Sequence, residues 1–187
     1  ELCRPYDALR CGLNLGEACG AVMLTKTGTS DLVAIDGGSA SDDANHISGP
    51  SRTGDGLYFA MRDAMSEAGV GPADVDMLQM HGTATAYNDE MESKAAGLAG
   101  LSDVPAQSLK PYFGHTMGAS GIIETILAAE ELKRGIFLGV KGFEELGVPV
   151  PLNVSAENRL IRNPHHCLKT ASGFGGTNAA VLLSFGT

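Results

Sequence analysis

The sequence has no tryptophan, and aromatic residues make up only 5% of its 187 positions. Bulky ring packing is therefore scarce, while 25 glycines point to tight turns and close backbone approaches. Long apolar runs are missing too. No stretch reaches the roughly 18 residues that a membrane-spanning helix needs, and residues 122–132 are interrupted by Glu124, Glu130 and Glu131. No membrane association is expected. There is no basic run and no basic–aromatic cluster to offset a formal charge of -9, so nucleic acid is not an expected partner. An acidic protein could still dock on a local basic patch.

Cysteine is also sparse. Cys3, Cys11, Cys19 and Cys167 fit no zinc spacing and read as reduced thiols of a cytoplasmic protein. His165-His166-Cys167 would need adjacent residues to share one ion, which ligand geometry disfavours. No signal peptide, phosphate-binding loop or dinucleotide fingerprint is visible. Gly16-Glu17-Ala18-Cys19-Gly20 is too short and wrongly placed for the last. The chain starts on glutamate, which suggests a piece of a longer protein.

A hydrophobic content of 43% is enough for one compact domain with a sizeable core. Residues 1–16 read as a polar lead-in. Apolar runs at 17–25, 32–41, 75–80 and 104–109 read as strands, with Gly37-Gly38 marking a bulge. Residues 42–55 read as loop and 72–74 as a short turn. Helices are expected over 56–68, 89–99 and 119–133, each closed by a glycine. Asn88 or Asp89 would cap the second, and Ile122, Ile123, Ile126, Leu127 and Leu132 would form the apolar side of the third. After an irregular stretch at 139–164, residues 167–171 and 178–185 read as a closing strand pair. Strands and helices alternate, so the class is α/β.

Three loops carry the chemistry. His81-Gly82-Thr83-Ala84-Thr85 follows a buried strand, where open α/β sheets place ligands. Alone, His81 would better suit a satisfied core position; Thr83 and Thr85 shift that balance by adding hydroxyls for a polar substrate arm. His115 precedes a helix that begins on small residues. The positive helix end would keep its imidazole neutral, ready to donate an N–H to an oxyanion. Lys110 is either a solvated loop lysine or a buried ammonium, and Glu124 either a surface carboxylate or its inward partner. Gly173-Phe174-Gly175-Gly176-Thr177-Asn178 is either a plain strand-joining turn or a set of amides aimed at an oxyanion.

Taken together and in order, these motifs resemble the C-terminal half of the β-ketoacyl synthases, condensing enzymes of the thiolase superfamily. Arg4-Pro5-Tyr6-Asp7 and residues 12–21 are similar to that family's lead-in. Residues 81–89, 110–121 and 173–178 are similar to its histidine, lysine–histidine and glycine motifs. The resemblance implies half of a layered αβαβα thiolase-like architecture with a mixed sheet, spanning residues 1–187 and lacking the N-terminal half.

It also implies a decarboxylative Claisen condensation in fatty-acid or polyketide and polyene synthesis. His81 and His115 would bind the malonyl thioester carbonyl, with Lys110 in support and Glu124 as its partner. Phe174 would gate the acyl pocket, and its amide would join Gly175 at the oxyanion. Thr83, Thr85 and, less directly, Ser48 would touch phosphopantetheine; Asp89 and Glu92 would be supporting acids. No metal or organic cofactor is implied, only substrates carried on phosphopantetheine. The implied partners are acyl carrier protein, the missing N-terminal half and a second copy.

Some positions depart from the pattern. The family's nucleophilic cysteine lies upstream of this chain, and Cys19 replaces a glycine. Ser172 replaces a frequent Phe, and Pro111-Tyr112-Phe113 differs from the commonest fatty-acid enzymes. The alternative is a non-catalytic partner subunit of the chain-length-factor type, but such subunits typically lose the histidines that this chain keeps.

Overall fold

Short apolar segments bounded by glycine and proline build one mixed six-stranded sheet in a computed structural model describing residues 2–43, 47–49 and 51–186. The strands are β1 (Ala34–Asp42), β2 (Met77–Gln79), β3 (Pro105–Gln107), β4 (Ile136–Phe137), β5 (Asn153–Val154), β6 (Arg159–Leu160), β7 (His166–Ser172) and β8 (Thr177–Ser184). The helices are α1 (Asp55–Ala68), α2 (Ala86–Leu98), the single turn α3 (Lys110–Phe113) and α4 (Ser120–Arg134).

The sheet order is β1-β8-β7-β2-β3-β5, with β4 and β6 paired separately. β7, β2, β3 and β5 run parallel, and β8 and β1 close the edge antiparallel. The carboxyl ends of β2, β3 and β7 therefore open on one side, and the three motif loops leave the sheet there.

Alternation along the strands sorts the two faces. Leu78, Met80, Leu168 and Leu182 pack with Leu57, Met61 and Met91 of α1 and α2. Met77, Cys167 and Leu183 pack on the other face with Ala128 and Leu132 of α4. β1 shows the expected bulge, a register shift between Ile35 and Gly37. A Cβ on Gly37 would lie 2.1 Å from the Ala64 carbonyl oxygen, so α1 reaches the sheet only because that position has no side chain.

Several expectations need correcting. Residues 17–25 form no strand and are exposed; Val22, Met23 and Leu24 are open to solvent. A strand needs a neighbour for its backbone groups, and among the described residues none lies beside it. β1 extends to Asp42, shortening the loop expected at 42–55, of which residues 44–46 and 50 lie outside the described residues.

α2 begins at Ala86 with Thr85 at the N-cap, so Asn88 and Asp89 are buried inside the helix rather than capping it. The stretch at 110–118 contains α3 and the start of a 3-10 turn over Met117–Ala119. On α4 the buried residues are Ser120, Glu124, Ala128, Glu131 and Leu132. Of the five apolar residues expected to face inward, only Leu132 does. On that stripe Glu124 meets two lysines, while Glu131 accepts from the Gln107 side-chain amide and the Leu138 backbone amide. The isoleucines instead lie under Gly20, whose added Cβ would be 3.0 Å from Ile123 and 3.2 Å from Ile126.

Candidate active site

β2 delivers His81 and β3 delivers Lys110 at the same sheet end, since Gln79 and Gln107 are register partners. His115 arrives on the loop between α3 and α4. The His81 and His115 rings lie 5.0 Å apart, centroid to centroid, and meet edge to face at 82°.

Each ring is held through its Nδ1. The Lys110 ammonium lies 3.2 Å from Nδ1 of His81 and also donates to the His81 carbonyl. The Met117 amide donates to Nδ1 of His115 at 3.1 Å, and the Ser120 hydroxyl lies 2.9 Å away. A ring nitrogen that accepts carries no proton, so each neutral ring bears its proton on Nε2. Burial first, then the Lys110 ammonium, holds both imidazoles below their ordinary value, His81 far below it. The sequence had pointed to the end of α4 as the cause; burial and a lysine are what the structure supplies.

Behind the rings lies a buried ionic triad. Lys110 Nζ is 2.7 Å from Glu124 Oε1, and Lys169 Nζ of β7 is 2.8 Å from Glu124 Oε2. All three side chains are at most 2% exposed. Opposite charges at that distance offset a desolvation cost that would otherwise neutralise each group. Glu124 stays below the usual carboxylate range because two ammoniums outweigh its burial.

The His81 loop is held from the α2 side. Glu92 accepts from the His81 and Gly82 amides at 2.8 and 2.7 Å, and from the Tyr6 hydroxyl at 3.0 Å. Asp89 accepts from the Thr83 and Tyr6 amides at 3.0 and 2.8 Å. Burial pushes Asp89 up to about 6 and Glu92 up to about 7. Ser108 Oγ donates to the carbonyls of His81 and Gly82. Ala84 and Met117, one in each histidine loop, sit at φ 57° and 53°, a left-handed backbone that costs about 1 kcal/mol or more outside glycine.

Thr83 and Thr85 share a 2.7 Å hydroxyl contact on the rim of this site. The glycine loop shares the sheet end, but no contact joins it to the imidazoles among the described residues. Phe174 is 79% exposed. The Gly175 amide donates to the Ile47 carbonyl at 2.8 Å, so it is engaged rather than open to a ligand. Ser48, next to Ile47, is exposed beside that loop. The Cys3 thiol donates to the Thr83 carbonyl at 3.9 Å; burial raises Cys3 to about 11 and raises Cys167 further, while Cys11 and Cys19 are exposed.

Sequence reasoning missed Lys169, Ser108, Ser120, Tyr6 and the Met117 amide. Only Lys169 left a signal: a lone cation between Leu168 and Thr170 in an otherwise buried strand needs a counter-charge.

A mixed sheet between helical layers, with paired imidazoles at the carboxyl ends of its parallel strands, defines a thiolase-like α/β protein. Residues 32–144 match the model of the β-ketoacyl synthase C-terminal domain, and the chain belongs to that family. It is 32% identical to 3-oxoacyl-[acyl-carrier-protein] synthase 2 of Rhizobium meliloti over 96% of its own length and 45% of that protein. It is 30% identical to a putative polyketide β-ketoacyl synthase of Streptomyces cyaneus, over 97% of this chain and 45% of that one.

Among solved structures, a ketosynthase in complex with its chain length factor from Xenorhabdus doucetiae superposes with a TM-score of 0.87. Identity there is 26%, covering 99% of this chain and 46% of that one. A β-ketoacyl synthase of Burkholderia phymatum gives 0.84 at 27% identity, covering 97% and 46% of the two chains. The chain thus spans about half the length of the relatives it matches. Among the described residues, no helix is long and apolar enough to cross a membrane.

Proposed function

We propose that this chain supplies the malonyl-decarboxylating half of a β-ketoacyl synthase. The observation that carries the reading is the 5.0 Å imidazole pair, each ring held at Nδ1 so that its proton sits on Nε2. A malonyl thioester carbonyl placed there accepts from both rings. The bond between the carboxylate carbon and the α-carbon breaks, and carbon dioxide leaves. The electron pair becomes an enolate whose charge rests on the thioester oxygen. The enolate carbon then attacks an acyl thioester on a cysteine supplied by the N-terminal half, and the thiolate departs.

Thr83 and Thr85 would hold the phosphopantetheine arm of a carrier protein or coenzyme A, with Ser48 as a further hydroxyl contact. Phe174 would gate the acyl pocket, and its amide would complete the second oxyanion site. The reading asks for no metal or organic cofactor, since N–H donors and an ammonium carry the charge. The partners would be acyl carrier protein, the missing half and a second synthase-like subunit, identical or of the chain-length-factor kind.

The test uses the longer protein or complex that contains this chain and follows carbon dioxide release from a malonyl thioester. His115→Ala should lower kcat by about 100-fold or more, the usual loss for one oxyanion donor. An unchanged rate would favour a non-catalytic subunit and overturn the proposal.

A further inference from the structure

We infer that Lys169 is a positioning residue that sets the positive field of the imidazole pair, by sharing Glu124 with Lys110 and leaving one cationic charge uncompensated behind His81. For its chemical consequence this rests on the decarboxylation reading above.

Lys169 projects from β7 on the α4 face of the sheet, the face that also carries Cys167. Its ammonium is 2.8 Å from Glu124 Oε2, while Lys110 is 2.7 Å from Oε1. It also donates to the Thr170 carbonyl. One carboxylate thus serves two ammoniums, and all three groups are buried, where charges act more strongly than in water. Lys110 passes the excess on, since its Nζ reaches both Nδ1 and the carbonyl of His81. With Lys110 and Glu124 alone, the pair would be neutral and the ring would see little net field. The Lys169 ammonium adds the positive charge that favours a neutral His81 and a negative thioester oxygen in front of it.

The titratable and charged groups facing this cluster are Lys110 from α3, Glu124 from α4, Lys169 from β7 and His115 from its loop. Glu92 and Asp89 face it from α2, and Tyr6 from the lead-in.

The experiment compares Lys169→Met, Lys169→Arg and the double variant Lys169→Met/Glu124→Gln in the longer protein. Two readouts are taken: malonyl decarboxylation against pH, and the His81 titration by NMR. Lys169→Met should lower kcat about tenfold, the size of one unit in an acid–base equilibrium, with little change in KM. It should also move the acid limb and the His81 titration to higher pH. Lys169→Arg keeps the charge and should stay near wild type.

Lys169→Met keeps the neutral Lys110–Glu124 pair, and a thermal melt of every variant checks that it is folded before rates are compared. The double variant restores one excess charge on Lys110. Its kcat should recover to within about threefold of wild type. The assignment falls if the double variant is no better than Lys169→Met, or if Lys169→Met matches wild type in rate and His81 titration. A wild-type protein that releases no carbon dioxide overturns the decarboxylation reading instead; the NMR titration then still decides whether Lys169 sets the field.

Discussion

His81 and His115 present the same Nε2 proton from different supports. One Nδ1 faces an ammonium and the other a backbone amide. The difference bears on pH. Both rings are neutral when folded because burial and Lys110 oppose protonation, whereas an unfolded imidazole protonates near 6.5. Stability from these rings is therefore complete above about 6.5 and is lost as pH falls below it. Decarboxylation should stay level as pH falls through about 6.5, the ordinary imidazole value, and decline only below it. A kcat/KM profile with its acid midpoint at or above 6.5 would contradict this. His81, His115 and Lys110 were legible as candidates because each sits at a fixed offset within a motif, and Glu124 because it lies on the helix that follows the His115 loop. Lys169 was not, because its partner lies 45 positions away, and only the packing of β7 under α4 brings the two together.

At the scale of elements, close approach decides more than propensity. α1 rests on β1 at Gly37, where an added methyl would lie 2.1 Å from a helix carbonyl. Gly37→Ala should destabilise the protein by about 1–3 kcal/mol through forced displacement of α1. At Gly38 the nearest atom would be 3.7 Å away, so Gly38→Ala should stay within about 0.5 kcal/mol. Paired thermal melts of the two variants check this, and equal melting temperatures would contradict it. The ends of α1 and α4 were legible because Gly69 and Gly135 stop them in the left-handed conformation. The start of α2 was not, since a backbone turn without a side-chain cap leaves no residue signature. The inward face of α4 was misread because helical periodicity assumes that apolar residues seek the core, and here two buried lysines draw Glu124 inward.

At the scale of the molecule, the sheet edge and the unpaired stretch at 17–25 leave apolar surface open. Leu15 is 72% exposed, Met23 89% and Leu24 73%. Single exposed leucines are ordinary, but a run of them points to a missing neighbour. The 187-residue chain expressed by itself should aggregate or bind a hydrophobic dye strongly, and co-expression with the upstream half should suppress both. A soluble monomer that melts cooperatively would contradict this.

What sequence alone determined was local: where three loops break the strands, which reactive residues they carry, and that strands and helices alternate. Those features depend on short-range chemistry, on glycines that permit turns and on motifs whose members are neighbours in the chain. Tertiary structure decided the rest. It brought two imidazoles within 5.0 Å of each other and placed Lys169 against Glu124. Among the described residues it also left 17–25 without a partner strand. Distance, burial and net charge belong to groups far apart in sequence, so none of them exists until the sheet and α4 have packed.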